Sequence, residues 1–475
     1  MKSNASAKSL DPNAKLSMLE RIGYGLGDYS GNLVYSAISA FLVVYYVSVV
    51  HADPKIAASI IAVSKIFDGI SDLIMGYIVD HTHSKWGKAR PWIARLCVPL
   101  AISTVFMFSV PASASDKVQI VYMFLTYNLV STVFYTGINV PYATMNGLMT
   151  TNQYERGLLG NFRMLFATAG TMTINTFVLK MTTYFGGGDQ YSQKGWTITF
   201  IILMVIFAVL NMVTFLTCKE RVNIEESESD NKKNVVPLGK QLKALFTNKY
   251  WLLLVVCLFV MYFMMSCFYS SALYYAQFNL EAGDKYATIS NVLSIAQIVT
   301  MLLTPFIMKK VSKRNLFLVG MTVAALGFIG TGLVGKNVTL VIVLSAVKGI
   351  GFGCGAATMF GLLQDSITYG EWKSGYDITG MGNAASSFCM KVGSGFGTAA
   401  LGWVLDAGKF VDTATVQSES ALQAISANFV WIPAVTMIIA VVCLLAYNLT
   451  PKKYEMIAND LANGRHKGDP GAAQL

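Results

Sequence analysis

Asp68 and Asp72 are the residues from which chemistry is most directly read. They lie in the stretch from Ile56 to Val79, which is otherwise apolar apart from Lys65 and a few serines. Such a stretch reads as a membrane-crossing helix, where a carboxylate at mid-membrane costs roughly 2.5–3.5 kcal/mol on insertion scales. A group that expensive is normally there for a use. A spacing of four puts both acids on one helix face, one turn apart, and Lys65 shares that face. Two like charges a turn apart repel unless a cation sits between them. The trio points to a site that binds a small cation and releases it, with Asp68 and Asp72 as metal ligands if the ion is Na+. The competing reading is structural, with the acids neutralising Lys65 and Lys391.

The elements that would hold this pair follow from composition. The 475 residues are 54% hydrophobic and 13% charged, against about 25% charged in soluble domains. The apolar residues come in long blocks, giving twelve candidate spans: 23–49, 56–79, 92–111, 118–149, 158–182, 197–217, 250–279, 286–308, 316–334, 338–364, 379–405 and 427–448. The polar break from Cys218 to Lys249 carries an acidic run (Glu225, Glu226, Glu228, Asp230) followed by Lys232 and Lys233. It divides six spans from six, the layout of a two-bundle transporter. The expectation is an all-α integral membrane protein with an N-terminal six-helix bundle (1–217), a cytoplasmic linker (218–249), a C-terminal bundle (250–448) and a tail (449–475). Leu238 to Phe246 reads as an amphipathic interfacial helix. The tail reads as too short for a further domain, and Met1 to Leu19 shows no signal peptide.

Net charge is +10. Most of the 36 Lys and Arg residues fall in the two tails and in the loops after even-numbered spans. The positive-inside rule then puts both termini in the cytoplasm. The basic excess marks orientation and contact with anionic lipid rather than nucleic acid. The seven cysteines have no metal-ligand spacing and read as packing residues. His51, His81, His83 and His466 lie outside the spans, so any proton carried would ride on carboxylates. No Ser/His or His/Glu constellation supports an enzyme, no cofactor is implied, and nothing resembles a channel's repeated filter. Glycine runs such as Gly349, Gly351, Gly353 and Gly355 lack the strand and the Lys-Ser/Thr of a phosphate loop; they read as close helix packing, with bending during transport as the second use.

Other polar groups also stand at depth. Span 1 carries Asp28 and Asn32. Span 4 carries Tyr135, Thr136 and Asn139, then Pro141, which breaks the helix ladder. Span 5 carries Asn161 and Arg163, span 8 Asn291 and Gln297, span 10 Lys348, Gln364 and Asp365, and span 11 Asn383 and Lys391. Groups like these face the bundle interior. Asn32 and Asn139 read equally as helix–helix hydrogen bonds or as sugar ligands, and Arg163 as a helix anchor or a ligand. Lys348 reads as structural.

The run Asp68-Gly-Ile-Ser-Asp72 through Asp80 to Ser84-Lys85-Trp86-Gly87-Lys88-Ala-Arg90-Pro91-Trp92 resembles the glycoside–pentoside–hexuronide cation symporters, the melibiose permease group of the major facilitator superfamily. Gly25-Leu-Gly27-Asp28, Asn139-Val-Pro141-Tyr142, Arg156 with Arg163, and Asp365 to Glu371 match in the same order. The resemblance implies a twelve-helix major facilitator fold and sugar uptake coupled to Na+, Li+ or H+. It implies a cation site at Asp68, Asp72, Thr136 and Lys391, with Ser71 beside them. It implies a sugar site at Asn32, Asn139 and Arg163, near Asp28 and Tyr142, and a cytoplasmic gate at Asp80, Lys88 and Arg90. The implied partners are a small sugar or glycoside, a monovalent cation and membrane lipids, for a monomer in a bacterial cytoplasmic membrane. Asn32 and Asn139 replace acids of melibiose permease, and Ser71 replaces an Asn. A neutral glycoside and an anionic hexuronide therefore both remain open. A lipid or lysolipid transporter of related fold is the alternative.

Overall fold

Long apolar runs leave the backbone one economical way to satisfy its N–H and C=O groups inside a bilayer, the helix. In the computed structural model, residues 15–80, 82, 84–111, 114–150, 153–221, 237–376, 378–412, 414 and 416–472 are described, and every regular element among them is helical. The linker acids Glu225, Glu226, Glu228 and Asp230, together with Lys232, Lys233, His81 and His83, lie outside the described residues.

The helices in chain order are α1 (Met18–Val44), α2 (Pro54–Asp80), α3 (Arg90–Met107), α4 (Asp116–Asn128), α5 (Thr136–Met149), α6 (Gln153–Phe185) and α7 (Gln193–Thr217). Then follow α8 (Leu238–Phe246), α9 (Lys249–Tyr274), α10 (Tyr286–Ile307), α11 (Lys313–Leu333), α12 (Val338–Ser374), α13 (Thr379–Ala407), α14 (Glu419–Ser426), α15 (Ile432–Ala446) and α16 (Pro451–Ala462). Among the described residues nine helical segments are long and apolar enough to cross a membrane. α2, α3 and α6 are not among them, because charged and hydroxyl side chains dilute their apolar runs. α2 and α6 carry several of the groups singled out above, among them Asp68, Asp72 and Arg163.

Three local outcomes differ from the sequence expectation or sharpen it. Span 4 does not break at Pro141, which lies inside α5. A proline removes one donor from the ladder, but here the change of winding comes earlier, in a π-helical turn from Leu129 to Tyr135. α12 runs ten residues past the expected end of span 10, so Asp365 to Glu371 is helical. The tail folds: Thr450 caps α16 by accepting from Lys453 N, and Asp460 near its end accepts from Trp372 Nε1 at 3.1 Å. Helix α8 has the bounds expected of the amphipathic segment.

The chain divides into two units, one within Met1–Ala37 and Ile70–Asn234, the other within Ile38–Gly69 and Val235–Leu475. In the first, glycines bring α1 close to its neighbours. A Cβ on Gly25 would meet the Phe166 ring at 2.7 Å, one on Gly27 the Tyr142 ring at 2.5 Å, and one on Gly170 of α6 the Tyr29 carbonyl oxygen at 2.5 Å. Thr214 Oγ1 of α7 donates to the Gly23 carbonyl at 2.8 Å, and Asn211 Nδ2 to Ser30 Oγ at 2.9 Å. These bonds satisfy polar groups where water is absent.

In the second unit the first half of α2 packs on α13. Gly402 admits the Pro54 carbonyl and Ala58, Gly395 admits the Lys65 stem, and Gly69 admits the Phe388 ring. These contacts explain why Ile38–Gly69 groups with the second unit. The glycine run of α12 works as a two-sided packing surface. Cβ atoms on Gly349 and Gly353 would meet the Leu293 and Gln297 carbonyls of α10, at 2.2 and 2.7 Å. Those on Gly351 and Gly355 would meet the Gly320 carbonyl and the Met321 side chain of α11, at 2.4 and 2.7 Å. Each pair is four apart and so shares a face.

Gly351→Ala forces a backbone shift and is expected to destabilise the protein by about 1–3 kcal/mol, the usual cost of overpacking. Gly76→Ala, where a Cβ meets nothing within 4 Å, is expected to be neutral or slightly stabilising. Thermal unfolding of the purified variants in detergent compares them; equal midpoints would contradict the packing role.

Candidate functional site

The two acids of α2 have different partners. Asp68 is 2% exposed and accepts from Lys65 Nζ at 2.8 Å. Lys65 reaches it because its aliphatic stem passes over Gly395 of α13, where a Cβ would lie 2.0 Å from Cγ. One turn further along α2, Asp72 is half-buried, and its Oδ1 accepts from Thr136 Oγ1 at 3.1 Å. Thr136 Oγ1 in turn accepts from Ser71 Oγ at 3.3 Å. Thr136 stands at the first position of α5, just past the π-helical turn that re-aims this segment, and its Oγ1 lies 3.4 Å from the Ser131 carbonyl. The result is a chain of hard oxygen atoms, with the Thr136 hydroxyl on the Asp72 carboxylate and the Ser71 hydroxyl and the Ser131 carbonyl against Thr136. Of the two sequence readings, the bridge is visible at Asp68 and the oxygen cluster at Asp72. Lys391 falls in the second unit, half-buried on α13. Among the described residues no three His, Cys, Asp or Glu side chains converge as a metal cluster would.

The residues considered for sugar converge in the first unit. Arg163 Nε donates to Asp28 Oδ2 at 3.2 Å, and its guanidinium lies over the Tyr142 ring, 5.3 Å from the centroid. Tyr142 stacks on Tyr24 at 4.6 Å and donates from its hydroxyl to the Tyr24 carbonyl at 2.6 Å, which fixes the ring. Asn32 Nδ2 donates to the Asp28 carbonyl one turn back, while its Oδ1 lies 3.5 Å from Thr171 Oγ1. Thr171 pairs with Ser36 at 2.8 Å. Asn139 is half-buried on α5, three residues before Tyr142. A carboxylate, a guanidinium and amides together supply the donors and acceptors that a polyhydroxylated ring requires. Sequence reasoning missed Tyr24 and Thr171; neither belongs to a motif, and only the close approach of α1 to α5 and α6 brings them in.

Lys88 and Arg90 belong to a loop anchored on the end of α7. The Glu220 carboxylate accepts from the backbone N–H groups of Lys88, Ala89 and Arg90 at 2.8, 3.0 and 2.9 Å, capping the N-terminus of α3. Gly87 has φ +105°, and a Cβ there would lie 2.3 Å from the Glu220 carboxyl group, so glycine is required on both counts. Arg90 turns its guanidinium to the Phe215 carbonyl at 2.7 Å and over the Phe215 ring. Glu220 went unnoticed in the sequence because it lies some 130 positions from the loop it holds. The side chain of Asp80 lies outside the described residues.

Comparison with known proteins places these groups in a family. Residues 23–451 match the model of the MFS/sugar transport proteins. An isoprimeverose transporter of Lactiplantibacillus pentosus is 32% identical over 93% of this chain and 90% of its own. A putative glycoside/cation symporter of Escherichia coli is 27% identical over 97% of both chains. Among solved structures, a D-xylose–proton symporter superposes with a TM-score of 0.62 over 92% of this chain and 97% of its own. At 13% identity it attests the fold alone. A multi-pass membrane transporter rather than an enzyme, this chain belongs to the MFS/sugar transport proteins, within the glycoside–pentoside–hexuronide cation symporters of the major facilitator superfamily.

Proposed function

We propose that this chain is a symporter of a bacterial cytoplasmic membrane, importing a neutral glycoside or pentoside together with one monovalent cation, Na+, Li+ or H+. The observation that carries the reading is the hydroxyl chain Ser71–Thr136–Asp72. It leads hydroxyl oxygens to a carboxylate of α2, as a small cation or a proton requires. The names of the relatives, an isoprimeverose transporter, a glycoside/cation symporter and an inner membrane symporter, support it. So does the polar lining of Asp28, Asn32, Arg163 and Thr171, which suits a sugar better than a lipid tail. The neutral class is favoured because Arg163 already has its counter-charge in Asp28, so the pair offers hydrogen bonds with little net charge. Twelve spans in two six-helix bundles, with both termini in the cytoplasm, complete the proposed topology.

In the proposed cycle the cation binds at Asp72, Thr136 and Ser71, with Asp68 as the second acid one turn away on α2. Lys65 and Lys391 compete with the ion for Asp68 and so favour its release inside. The sugar binds through Asn32, Asn139, Arg163 and Asp28, with the buried Tyr142 ring holding the Arg163 guanidinium in place. Both sites open in turn to the two faces of the membrane, and the loop holding Lys88 and Arg90, with Asp80 before it, acts as the cytoplasmic gate. One cation moving down about 100 mV supplies about 2.3 kcal/mol, enough for roughly fifty-fold accumulation.

Proteoliposomes with separately imposed Na+, Li+ and H+ gradients and a labelled glycoside panel test the reading. Asp72→Asn is expected to abolish uphill accumulation while sugar exchange at equal concentrations survives; accumulation persisting in that variant contradicts the coupling role. Asp28→Asn leaves the Arg163 charge without its carboxylate partner. It is expected to lower uptake of the neutral glycoside at least tenfold and to raise the ratio of glucuronide to glycoside uptake. An unchanged ratio would count against charge balance at the sugar site.

A further inference from the structure

Lys348 plays no part in the cycle described above, yet among the described residues of the second unit it is the most deeply buried basic one, with no exposed surface. It sits on α12, immediately before the glycine run that lets this helix approach α10 and α11. Among the described residues no carboxylate pairs with it. Three aromatic rings surround its ammonium instead. The Phe328 centroid lies 4.8 Å from Nζ, that of Phe429 5.0 Å and that of Phe268 5.1 Å. The rings come from α11, from the turn between α14 and α15, and from α9, and they pack on one another: Phe268 stacks on Phe429 at 5.0 Å and meets Phe328 edge-on at 6.2 Å. One oxygen completes the cage. Thr331 Oγ1 lies 3.3 Å from Nζ. Its own hydrogen goes to the Gly327 carbonyl at 2.8 Å, so a lone pair is left toward the lysine. Room for the stem comes from Gly327, where a Cβ would lie 2.8 Å from Lys348 Cγ.

A neutral amine would gain little from this arrangement. The ring faces are electron-rich, and a desolvated ammonium over such a face is held by electrostatics that an amine lacks. The glycine that admits the stem, the threonine turned to accept and three rings within 5.1 Å all suit a positive charge. We propose that Lys348 is a charged positioning residue. Its ammonium clasps α9, α11 and the turn before α15 onto α12, and so fixes the glycine-lined segment of α12 in the arrangement that transport requires. The cage itself does not depend on the transport reading; only its consequence for uptake does.

Graded fluorination tests this without changing shape. Phe328 is replaced in turn by mono-, di- and trifluorophenylalanine, which progressively drains the ring face of electron density. The expected result is a stepwise fall in the unfolding midpoint of the purified protein, and in initial uptake, along the series. The same series in a Lys348→Met background is expected to be flat. Fluorination of Phe352 is the packing control, should Lys348→Met fail to fold. That ring is buried on α12, 6.1 Å from Phe328, and has no ring–cation contact among the described residues. A flat midpoint series at Phe328, or a slope equal to that at Phe352, overturns the charged clasp. A falling midpoint with unchanged uptake overturns the positioning role. A wild type that accumulates no glycoside overturns the transport reading and leaves the midpoint arm standing.

Discussion

A carboxylate set in an otherwise apolar helix has to find its partners inside the protein, because a buried charge without them is costly. α2 meets that demand twice, in opposite ways. At Asp68 the partner is a lysine on the same helix, close enough to neutralise the charge. At Asp72 it is a hydroxyl from α5, backed by a second hydroxyl. A hydroxyl satisfies a hydrogen-bond acceptor without cancelling its charge. At Asp72 the carboxylate meets a chain of hydroxyl oxygens, the feature on which the proposed coupling rests.

Much of this was legible in the sequence because burying charge in apolar surroundings is so costly. Asp68, Asp72, Lys65, Asp28 and Arg163 stand out against apolar runs on composition alone, and helical spacing puts the α2 acids on one face. Helix α8 and its bounds followed from amphipathic pattern. What the sequence withheld were partners set by long-range packing. Nothing local says that Arg163 meets Asp28 across more than a hundred residues, or that Glu220 caps α3. Lys65 was legible as a partner for the α2 acids; what was not legible was Gly395, which makes room for the lysine stem. Pro141 misled for a related reason: its missing donor reads as a break, but α5 tolerates it, and the irregular turn falls where Thr136 must be aimed at Asp72.

Glycine placement is the second organising constraint. In α1 and α6 it brings Asp28, Asn32 and Arg163 within reach of one another. In α12 it lets one helix lie against two neighbours on alternate faces, and beside that stretch Gly327 gives Lys348 its place among three rings. Both polar clusters thus rest on backbone approach that any side chain would prevent, which ties the chemistry of the sites to the packing of the helices.

The central claim is that the ion held at Asp72 and the sugar held near Arg163 favour each other's binding. Isothermal titration of the purified protein with its glycoside, at fixed and then varied concentration of the coupling cation, measures this directly, since linkage makes the effect reciprocal. The account predicts that the cation tightens sugar binding at least fivefold in the wild-type protein and leaves it unchanged in a protein whose Thr136 is replaced by valine. Sugar affinity indifferent to Na+, Li+ and pH in the wild-type protein would contradict it.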